Sequence, residues 1–360
     1  MYSGTQLFLI YSGLFFGALV FALLTNSVFM RFFRTFGIRE GQEGVVRWAA
    51  SQKPAFGGIG FFIIFLGAFA VHGALFPKQS NPYQPELVGL LAATGLGFLM
   101  GLADDAYNTR PLLKFTTQMA CGVILIASGT SIQLFDQAWA NYTLTLLWVV
   151  GMMNSINMLD NMDAITTVTS ICILCCGLLS LLHSGPLVTI NVVLVIGIIA
   201  SLCGFLFFNW YPSRMYMGDT GSQFLGVFLA FIGIRCFWNG TNALGEMEPW
   251  RQAVSTLVVF ALPIIDTSVV TVNRIARGGS PFVGGKDHTT HHLSYAGLSD
   301  AQVALFFTGV GALSFFFIYA MLEFIPEWHF WHSLVFIGYF FVLFGFLFGL
   351  TRRTKAPEKE

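Results

Sequence analysis

Carboxylates, asparagines and histidines form four short groups, and each group lies at the end of an apolar stretch of the chain. The groups occupy residues 104–105, 157–163, 209–222 and 288–292. Carboxylates brought together at a lipid interface are costly unless a cation holds them there. Mg²⁺ binds carboxylate oxygens together with substrate phosphates. The four groups therefore predict one site that binds a metal ion and a phosphate.

The segment 209–222 is the densest of these groups. Pro212 ends a helix, because its ring cannot continue the hydrogen-bonded turn. Gly218 and Gly221 allow the backbone to approach closely around Asp219. An aspartate beside a helix N-terminus, which favours anions, suits a Mg²⁺ ion that bridges to a phosphate. The alternative is a purely structural turn around Asp219.

Two further groups contribute acidic and amide side chains. Asp104 and Asp105 are adjacent and lie about 100° apart around a helix, so they need not share one function. One of them can reach a metal while the other accepts a proton. By their spacing, Asn157 and either Asp160 or Asn161 share one helical face. Because lipid cannot satisfy a polar face, we expect this face to line a water-filled cleft or to contact other helices.

The fourth group is His288-x-x-His291-His292, which follows a pair of adjacent glycines. A zinc site is one interpretation, but no cysteine on the same face completes a tetrahedral set of soft ligands. We favour the interpretation that these histidines donate hydrogen bonds to phosphate oxygens.

The elements that must position these groups are membrane-spanning helices. The chain of 360 residues is 55% hydrophobic and 10% charged, whereas soluble domains average about 25% charged residues. Apolar runs of roughly 20 residues, the length that spans a bilayer, recur along the chain. We predict an all-α polytopic integral membrane protein with about eleven spans, near residues 6–31, 56–76, 87–104, 112–132, 142–159, 164–183, 187–209, 222–239, 252–274, 302–322 and 331–351.

Basic residues are distributed unequally between the two faces that these spans create. If the N-terminus lies outside, Lys78, Arg235 and Arg251 fall on the outer face, and the other lysines and arginines fall on the inner face. By the positive-inside rule, the inner face and the C-terminus are cytoplasmic. We expect residues 1–350 to form a single membrane domain in the lipid bilayer and residues 351–360 to form a short charged cytoplasmic tail. No nucleic-acid partner is expected.

Taken in order, these motifs resemble those of the polyprenyl-phosphate N-acetylhexosamine-1-phosphate transferase family (glycosyltransferase family 4). The family's aspartate pair with a downstream lysine is similar to Asp104-Asp105 with Lys114. Its Asn-x-x-Asp-Gly-x-Asp-Gly motif resembles residues 157–164, and its Asn-x-x-Pro…Met-Gly-Asp-x-Gly-Ser motif resembles residues 209–222. The resemblance extends from about residue 57 to residue 299 and implies ten or eleven helices with a cytoplasmic site.

Within the family, the chain is similar to the branch of undecaprenyl-phosphate N-acetylglucosaminyl-1-phosphate transferases, which initiates O-antigen, enterobacterial common antigen and teichoic acid synthesis. Pro263-x-x-Asp266 favours this branch. The alternative is the peptidoglycan branch, the phospho-N-acetylmuramoyl-pentapeptide transferases, in which three consecutive histidines are typically followed by a glutamate. Here a pair of threonines separates His288 from His291.

The chain departs from the family pattern at three places. Asn161 and Ala164 stand where the family has glycines, in the segment that the resemblance assigns to the uridine pocket. Arg214 stands where lysine is common, which keeps the charge but changes its geometry. The histidine spacing is one residue longer than the family's His-x-His-His, so either His291 or His292 corresponds to the functional histidine.

The resemblance implies transfer of a sugar 1-phosphate from a UDP-N-acetylhexosamine to a polyprenyl phosphate such as undecaprenyl phosphate, with release of UMP. This would be the first membrane step of cell-envelope polysaccharide synthesis, in the bacterial plasma membrane. It also implies that Asp219 binds Mg²⁺, with Mn²⁺ as the alternative, and that Asp104, supported by Asp105, is the catalytic base. The substrate-binding residues that it implies are Lys114, Asn157, Asp160, Asp163, Asn209, Arg214, His288, His291 and His292.

The sequence also bears on the course of the reaction and on other classes of protein. Direct attack by the lipid phosphate is favoured over a covalent aspartyl intermediate, because no nucleophile is singled out by an adjacent base. A secondary transporter is the alternative from another class, but transporters often place their sites near the bilayer midplane and show inverted repeats. This chain has its polar groups at helix ends and no clear repeat. Both a monomer and a homodimer are compatible with the sequence.

Overall fold

The computed structural model describes residues 2–32, 53–77, 84–242, 245–280 and 284–355, and the chain in these ranges is almost entirely helical. Within them, Thr241 and Met247 form an isolated β-bridge. The helices are α1 (Gly4–Phe32), α2 (Gly57–Leu75), α3 (Pro85–Tyr107), α4 (Pro111–Ala127), α5 (Ala138–Leu159), α6 (Ile165–Ser184), α7 (Ile190–Asn209), α8 (Gly218–Gly233, continued by a π-helical turn at Ile234–Trp238), α9 (Pro249–Val259), α10 (Ala261–Ala276), α11 (Thr289–Tyr295), α12 (Asp300–Glu323) and α13 (Phe330–Arg353).

Nine of the described helices are long and apolar enough to cross a membrane, and α9 with α10 would form a tenth span that is bent by 75°. The helix α4 is shorter, at 17 residues, although it is also apolar. Each predicted span overlaps one of these helices or the bent pair. The prediction of an all-α protein with many membrane-spanning helices is therefore confirmed, whereas the number eleven and the orientation remain predictions.

Part of the predicted charge asymmetry lies outside the described residues. This holds for Arg34, Arg39, Arg47 and Lys78, and for Lys359 in the predicted tail. The helix α13 extends to Arg353, so the first residues of that tail continue the helix.

The helix α8 lies at the centre of the bundle, and almost every one of its residues is buried. Glycines let two neighbouring helices approach its first turn. A Cβ atom added to Gly58 of α2 would lie 2.2 Å from the backbone nitrogen of Gly221. A Cβ atom added to Gly101 of α3 would lie 2.2 Å from the carbonyl oxygen of Asp219. Close backbone contact through small residues is typical of membrane bundles, and here it encloses the start of α8.

A tight connection brings the end of α3 against the start of α4. Asn108 ends α3 with a left-handed φ of 51°, and its N–H donates to the carbonyl oxygen of Asp104. Pro111 begins α4, where the missing N–H has no partner to lose because the first amides of a helix lack one. Residues close to this turn on either helix therefore meet at the same end of the bundle.

The break between α9 and α10 redirects the chain by 75°. Phe260 separates the two helices, and Pro263 lies in the first turn of α10, where it cannot donate a backbone hydrogen bond to α9. After the bend, α10 packs against α5 and α13. This path places Asp266, in the second turn of α10, beside the start of α11.

Candidate active site

The ammonium group of Lys114 lies at the centre of a group of side chains from α3, α4, α5 and α8, which we call the lysine cluster. Its Nζ lies 3.1 Å from Asp104 Oδ2, 3.2 Å from Asn157 Oδ1 and 3.4 Å from Asp219 Oδ2. Asn157 in turn donates through Nδ2 to Asp219 Oδ1 and, at 2.8 Å, to Ser222 Oγ. The structure therefore brings together four predicted site residues that lie on four different helices.

Asp104 is held on both of its oxygens. Its Oδ1 accepts hydrogen bonds from the Thr109 hydroxyl and, at 2.9 Å, from the Thr109 backbone N–H. Its Oδ2 accepts from Lys114 at 3.1 Å. The turn between α3 and α4 supplies Thr109, so the same connection that joins these helices also fixes the orientation of the carboxylate.

Asp105 contacts the backbone of α8 and not the lysine. Its Oδ1 accepts from the backbone N–H of Asp219 at 2.9 Å. Its Oδ2 accepts from the backbone N–H of Thr220 at 2.9 Å and from the Thr220 hydroxyl at 2.6 Å. The first amides of a helix have no partner within the helix, and a carboxylate at this end is also favoured by the helix dipole. Asp105 thus anchors the start of α8, which carries Asp219.

We expect Asp105→Asn to destabilise the fold by about 2 kcal/mol or more, because hydrogen bonds to a charged acceptor are lost and a backbone N–H then faces an amide N–H. Thermal unfolding of the purified protein in detergent measures this effect. Thr220→Val is the matched control, since it removes the hydroxyl but keeps both backbone bonds, and it should have a smaller effect. Wild-type stability in Asp105→Asn would contradict the anchoring role.

A layer of amide side chains lies one helical turn deeper than the lysine cluster, on the same three helices. Lys114, Asn157 and Asp219 are followed into the bundle by Gln118, Asn154 and Gln223, respectively. Gln118 donates to Gln223 Oε1 at 3.2 Å and to Asn154 Oδ1 at 3.3 Å, and it accepts from Asn154 at 2.8 Å. These buried bonds fix the register of α4, α5 and α8 and thereby the spacing of the residues above them.

Asp160 and Asp163 lie in the connection between α5 and α6. Asp163 accepts hydrogen bonds from Ser213, at 2.8 Å from the backbone N–H and 2.7 Å from the hydroxyl. Burial, together with the nearby carboxylates of Asp219 and Asp105, raises the pKa of Asp160 to about 8. The carboxyl group of Asp160 thus lies in the negative field of the Asp219 and Asp105 carboxylates, and that field favours a bound cation.

The residue that replaces a family glycine at position 164 adopts a glycine-like conformation. Ala164 has a left-handed φ of 67°, which an L-residue with a Cβ atom adopts only at a cost. Its backbone N–H donates to Asn209 Oδ1 at 3.1 Å, and the Thr167 hydroxyl donates to the same oxygen at 2.7 Å. Asn209 also donates to the Met215 carbonyl oxygen at 3.0 Å. The amide of Asn209 therefore ties two connecting segments together, although the sequence predicts a substrate contact for it.

The structure does not bring Arg214 into the lysine cluster. Its side chain is exposed, and Nη2 donates to the Phe207 carbonyl oxygen at 3.1 Å. The guanidinium lies over the rings of Phe207 and Phe208, at 5.1 and 5.3 Å from their centroids. The stacking places Arg214 on the outside of α7.

The three clustered histidines have different surroundings, although all three are buried. His288 Nδ1 lies 2.8 Å from Asp266 Oδ2, whereas His292 Nδ1 lies 2.7 Å from the Thr354 hydroxyl beyond α13. Burial, and then the neighbouring His288, lower the pKa of His291 to about 4, so its ring is neutral near pH 7. The helix α11, which carries His291 and His292 and is called the histidine helix below, is joined to the α5–α6 connection. The Thr290 hydroxyl donates a hydrogen bond of 2.5 Å to Asn161 Oδ1.

Several residues that lie around the predicted ones in the structure were not predicted from the sequence. Thr109 and Ser213 hold predicted site residues through their hydroxyl groups, and single hydroxyl residues carry no recognisable sequence signal. Ser222 ends the motif at residues 209–222, but no binding or catalytic role was predicted for its hydroxyl, which accepts from Asn157. Asp266 does carry one, because an ionisable residue within an apolar helix is by default a candidate functional residue. From the sequence, Asp266 was assigned only to a motif that favours one branch of the family.

The donor atoms around Asp219 fit a magnesium ion. Among the described residues, no three His, Cys, Asp or Glu side chains form a group arranged to hold a metal. Mg²⁺, however, is usually bound by one or two carboxylates, with water and substrate phosphates as the other ligands. The side chain of Asp219 is 31% exposed, against 10% for Asp104, so Asp219 is the more accessible of the two carboxylates around Lys114. An accessible carboxylate among oxygen donors suits a hard cation that is shared with a phosphate.

The chain is similar to a known protein family and to several named enzymes. The model of the family described as "Glycosyl transferase family 4" matches residues 87–237, which include Asp104, Lys114, Asn157 and Asp219. The chain is 26% identical over 262 residues to the "probable undecaprenyl-phosphate N-acetylglucosaminyl 1-phosphate transferase" of Bacillus subtilis, which covers 70% of this chain and 68% of the relative.

Two further relatives have similar names. The "decaprenyl-phosphate N-acetylglucosaminephosphotransferase" of Mycobacterium tuberculosis is 27% identical over 291 residues, covering 74% of this chain and 71% of the relative. The "undecaprenyl-phosphate alpha-N-acetylglucosaminyl 1-phosphate transferase" of Escherichia coli K12 is 22% identical over 262 residues, covering 68% and 69%.

Proposed function

Because the chain belongs to glycosyl transferase family 4, we propose that it transfers an N-acetylhexosamine 1-phosphate from a UDP-sugar to a polyprenyl phosphate and releases UMP. The names of its relatives combine an N-acetylglucosamine phosphate group with undecaprenyl or decaprenyl phosphate. The observation that carries the proposal is the position of Lys114 between Asp104 and Asp219, at the ends of apolar helices. Such a site can meet a water-soluble nucleotide and a lipid phosphate at once.

The reaction exchanges one phosphoanhydride bond for another. An oxygen of the polyprenyl phosphate attacks the phosphorus that carries the sugar. The bond from that phosphorus to the oxygen bridging the two phosphates of the UDP-sugar breaks, and UMP leaves with this oxygen. The lipid then carries a diphospho-sugar. Phosphoryl transfer of this kind depends mainly on positioning the groups and on neutralising their charge.

The described side chains divide this work between them. Lys114 neutralises phosphate charge, and Asn157, which also donates to Ser222, holds the Asp219 carboxylate in place. Asp104 orients the lipid phosphate and keeps it ionised. Direct attack by the lipid phosphate fits the engagement of both Asp104 oxygens, by Thr109 and by Lys114, because these bonds weaken the carboxylate as a nucleophile.

Asp219 would hold Mg²⁺, with Mn²⁺ as the alternative, together with the diphosphate of the UDP-sugar. The ion would supply charge neutralisation for the leaving UMP. The α5–α6 connection, with Asp160 and Asp163, would line the nucleotide pocket, and the histidine helix would contact phosphate or sugar. The predicted orientation, with the basic loops in the cytoplasm, supports a site at the inner side of a bacterial plasma membrane.

The test is release of UMP by the purified protein from UDP-N-acetylglucosamine in the presence of undecaprenyl phosphate and Mg²⁺. We expect UMP and a lipid-linked sugar in equal amounts, and no UMP without the lipid. A panel of UDP-sugars, including UDP-N-acetylmuramoyl-pentapeptide, identifies the donor and separates the two branches of the family. UMP release from none of these donors would contradict the proposal and would favour a transporter.

A further inference from the structure

The carboxylate of Asp266 is buried within an apolar helix, and both of its oxygens are used. Its exposed fraction is 1%. Its Oδ2 lies 2.8 Å from His288 Nδ1, and its Oδ1 accepts from Thr289 at 2.8 Å from the backbone N–H and 2.6 Å from the hydroxyl. A carboxylate in such surroundings is costly and is retained when it pairs with a functional partner. The partner here is an imidazole at the start of α11.

We propose that Asp266 is a positioning residue that acts through His288, by fixing the ring so that Nε2 is the nitrogen offered to a phosphate oxygen of the substrate. This inference rests on the proposed function. A carboxylate that accepts from Nδ1 orients the ring, and the ring donates from Nε2 when both of its nitrogens carry a hydrogen. Within the described residues Nδ1 is engaged by Asp266, which leaves Nε2 for a ligand.

Capping of α11 alone does not explain these contacts. The bonds from Oδ1 to Thr289 would suffice to satisfy the free amide at the start of the helix. The second oxygen lies on the histidine ring, and so the carboxylate spans the backbone and the side chain. The geometry therefore fixes the position of the ring as well as the position of the helix.

A second contact from α10 holds the segment that precedes His288. Arg274 donates to Asp287 through Nε at 2.8 Å and through Nη2 at 2.7 Å, in a two-point pairing. Two-point pairing of a guanidinium with a carboxylate adds geometric specificity. Asp266 and Arg274 thus attach residues 287–289 to one rigid helix at two places, and this removes the freedom of the loop at His288.

His288 differs from the other two histidines of the cluster in the partner of its ring. His292 is turned toward Thr354, which is a neutral hydroxyl and cannot stabilise a protonated ring as a carboxylate does. The ring of His291 has a pKa of about 4 and is neutral near pH 7. His288 is therefore the histidine of the cluster that is suited to donate a charge-assisted hydrogen bond to phosphate.

A double-mutant cycle with Asp266→Asn and His288→Gln tests the inference. We expect each single variant to lower kcat/KM for UMP release by roughly 10- to 100-fold, with the KM for the UDP-sugar unchanged in Asp266→Asn. The double variant should be no slower than His288→Gln, because Asp266 has nothing left to act through. Thr289→Val is the matched control that removes another contact of Asp266 and should leave kcat nearly unchanged. Effects that multiply in the double variant would overturn the inference.

A second readout does not require turnover. Diethyl pyrocarbonate modifies histidine rings that it can reach, so its rate reports how firmly a buried ring is held, and the rate at each histidine is followed by peptide mass spectrometry. We expect His288 to react faster in Asp266→Asn than in the wild type, while the rate at His292 in the same molecules stays constant. Asp266→Glu, which keeps a carboxylate, should retain slow modification of His288 and serves if the asparagine variant does not fold. Equal changes at His288 and His292, or no change, would overturn the inference.

The two readouts separate the inference from the proposed function. If the wild-type protein releases no UMP but His288 alone reacts faster without Asp266, the pairing stands and the proposed reaction is wrong. If UMP release is normal and His288 is insensitive to Asp266, the reaction stands and the positioning role is wrong.

Discussion

Replacing Asp219 with asparagine is expected to lower Mg²⁺-dependent release of UMP by about 10³-fold or more. Asparagine has nearly the same shape, and its carbonyl oxygen can still accept from Asn157 or Lys114, but it lacks the charge that holds a divalent cation. Loss of a metal that neutralises transition-state charge removes about 4 kcal/mol of stabilisation, which corresponds to this factor. The measurement is the initial rate of UMP release at saturating UDP-sugar and lipid, across a range of Mg²⁺ concentrations.

The control for this variant is Asp136→Asn, which makes the same chemical change at an exposed position in the connection between α4 and α5. It should retain the wild-type rate. Binding of Mn²⁺, followed by its electron paramagnetic resonance signal, should weaken in Asp219→Asn and not in Asp136→Asn. Near-normal UMP release by Asp219→Asn would show that another residue holds the metal, or that the reaction does not need one.

The sequence could predict that the residues of the lysine cluster lie at one end of the bundle, because their positions at helix ends constrain where they can lie. Asp104 ends one apolar run, Lys114 begins the next and Asn157 ends a third. Since consecutive spans alternate in direction, these ends fall on the same side of the membrane. The structure adds the atomic contacts, with Lys114 between Asp104 and Asp219.

Side-chain direction could not be predicted, because packing between distant segments decides it. Arg214 turns back onto Phe207, which is a contact that depends on the path of the chain after Pro212. The side-chain oxygen of Asn209 accepts a hydrogen bond from the backbone N–H of Ala164, and the left-handed backbone of Ala164 directs that N–H toward it. The sequence pattern gives the types and the order of these residues, whereas their partners follow only from the folded connections.

The pairing of Asp266 with His288 could not be predicted from the sequence, for a different reason. It depends on the 75° bend between α9 and α10, which turns the start of α10 toward the histidine helix. Residues 252–274 were predicted to form a single span, with no bend. Pro263 was visible in the sequence, but a proline alone does not specify the direction or size of a bend.

Replacing Lys114 with glutamine is expected to lower UMP release by about 10²-fold or more, an effect comparable to the loss of one donor at a site of developing charge. The ammonium now lies 3.1 Å from Asp104 and 3.4 Å from Asp219. Without it, two carboxylates face each other with no cation from the described side chains between them, and like charges at this separation repel. Mg²⁺ should relieve that repulsion. We therefore expect Mg²⁺ to raise the melting temperature of Lys114→Gln more than that of the wild type.

Two further variants test the role of the positive charge at Lys114. Lys114→Arg keeps the positive charge in a larger, planar group, so it should restore the stability of the metal-free protein better than the rate. Lys355→Gln, at an exposed lysine beyond the end of α13, makes the same change as Lys114→Gln away from the cluster and should match the wild type in both measurements. If Mg²⁺ stabilises Lys114→Gln no more than the wild type, the lysine does not balance the two carboxylates. Its contribution to the rate would then have to come from direct contact with the substrate phosphate alone.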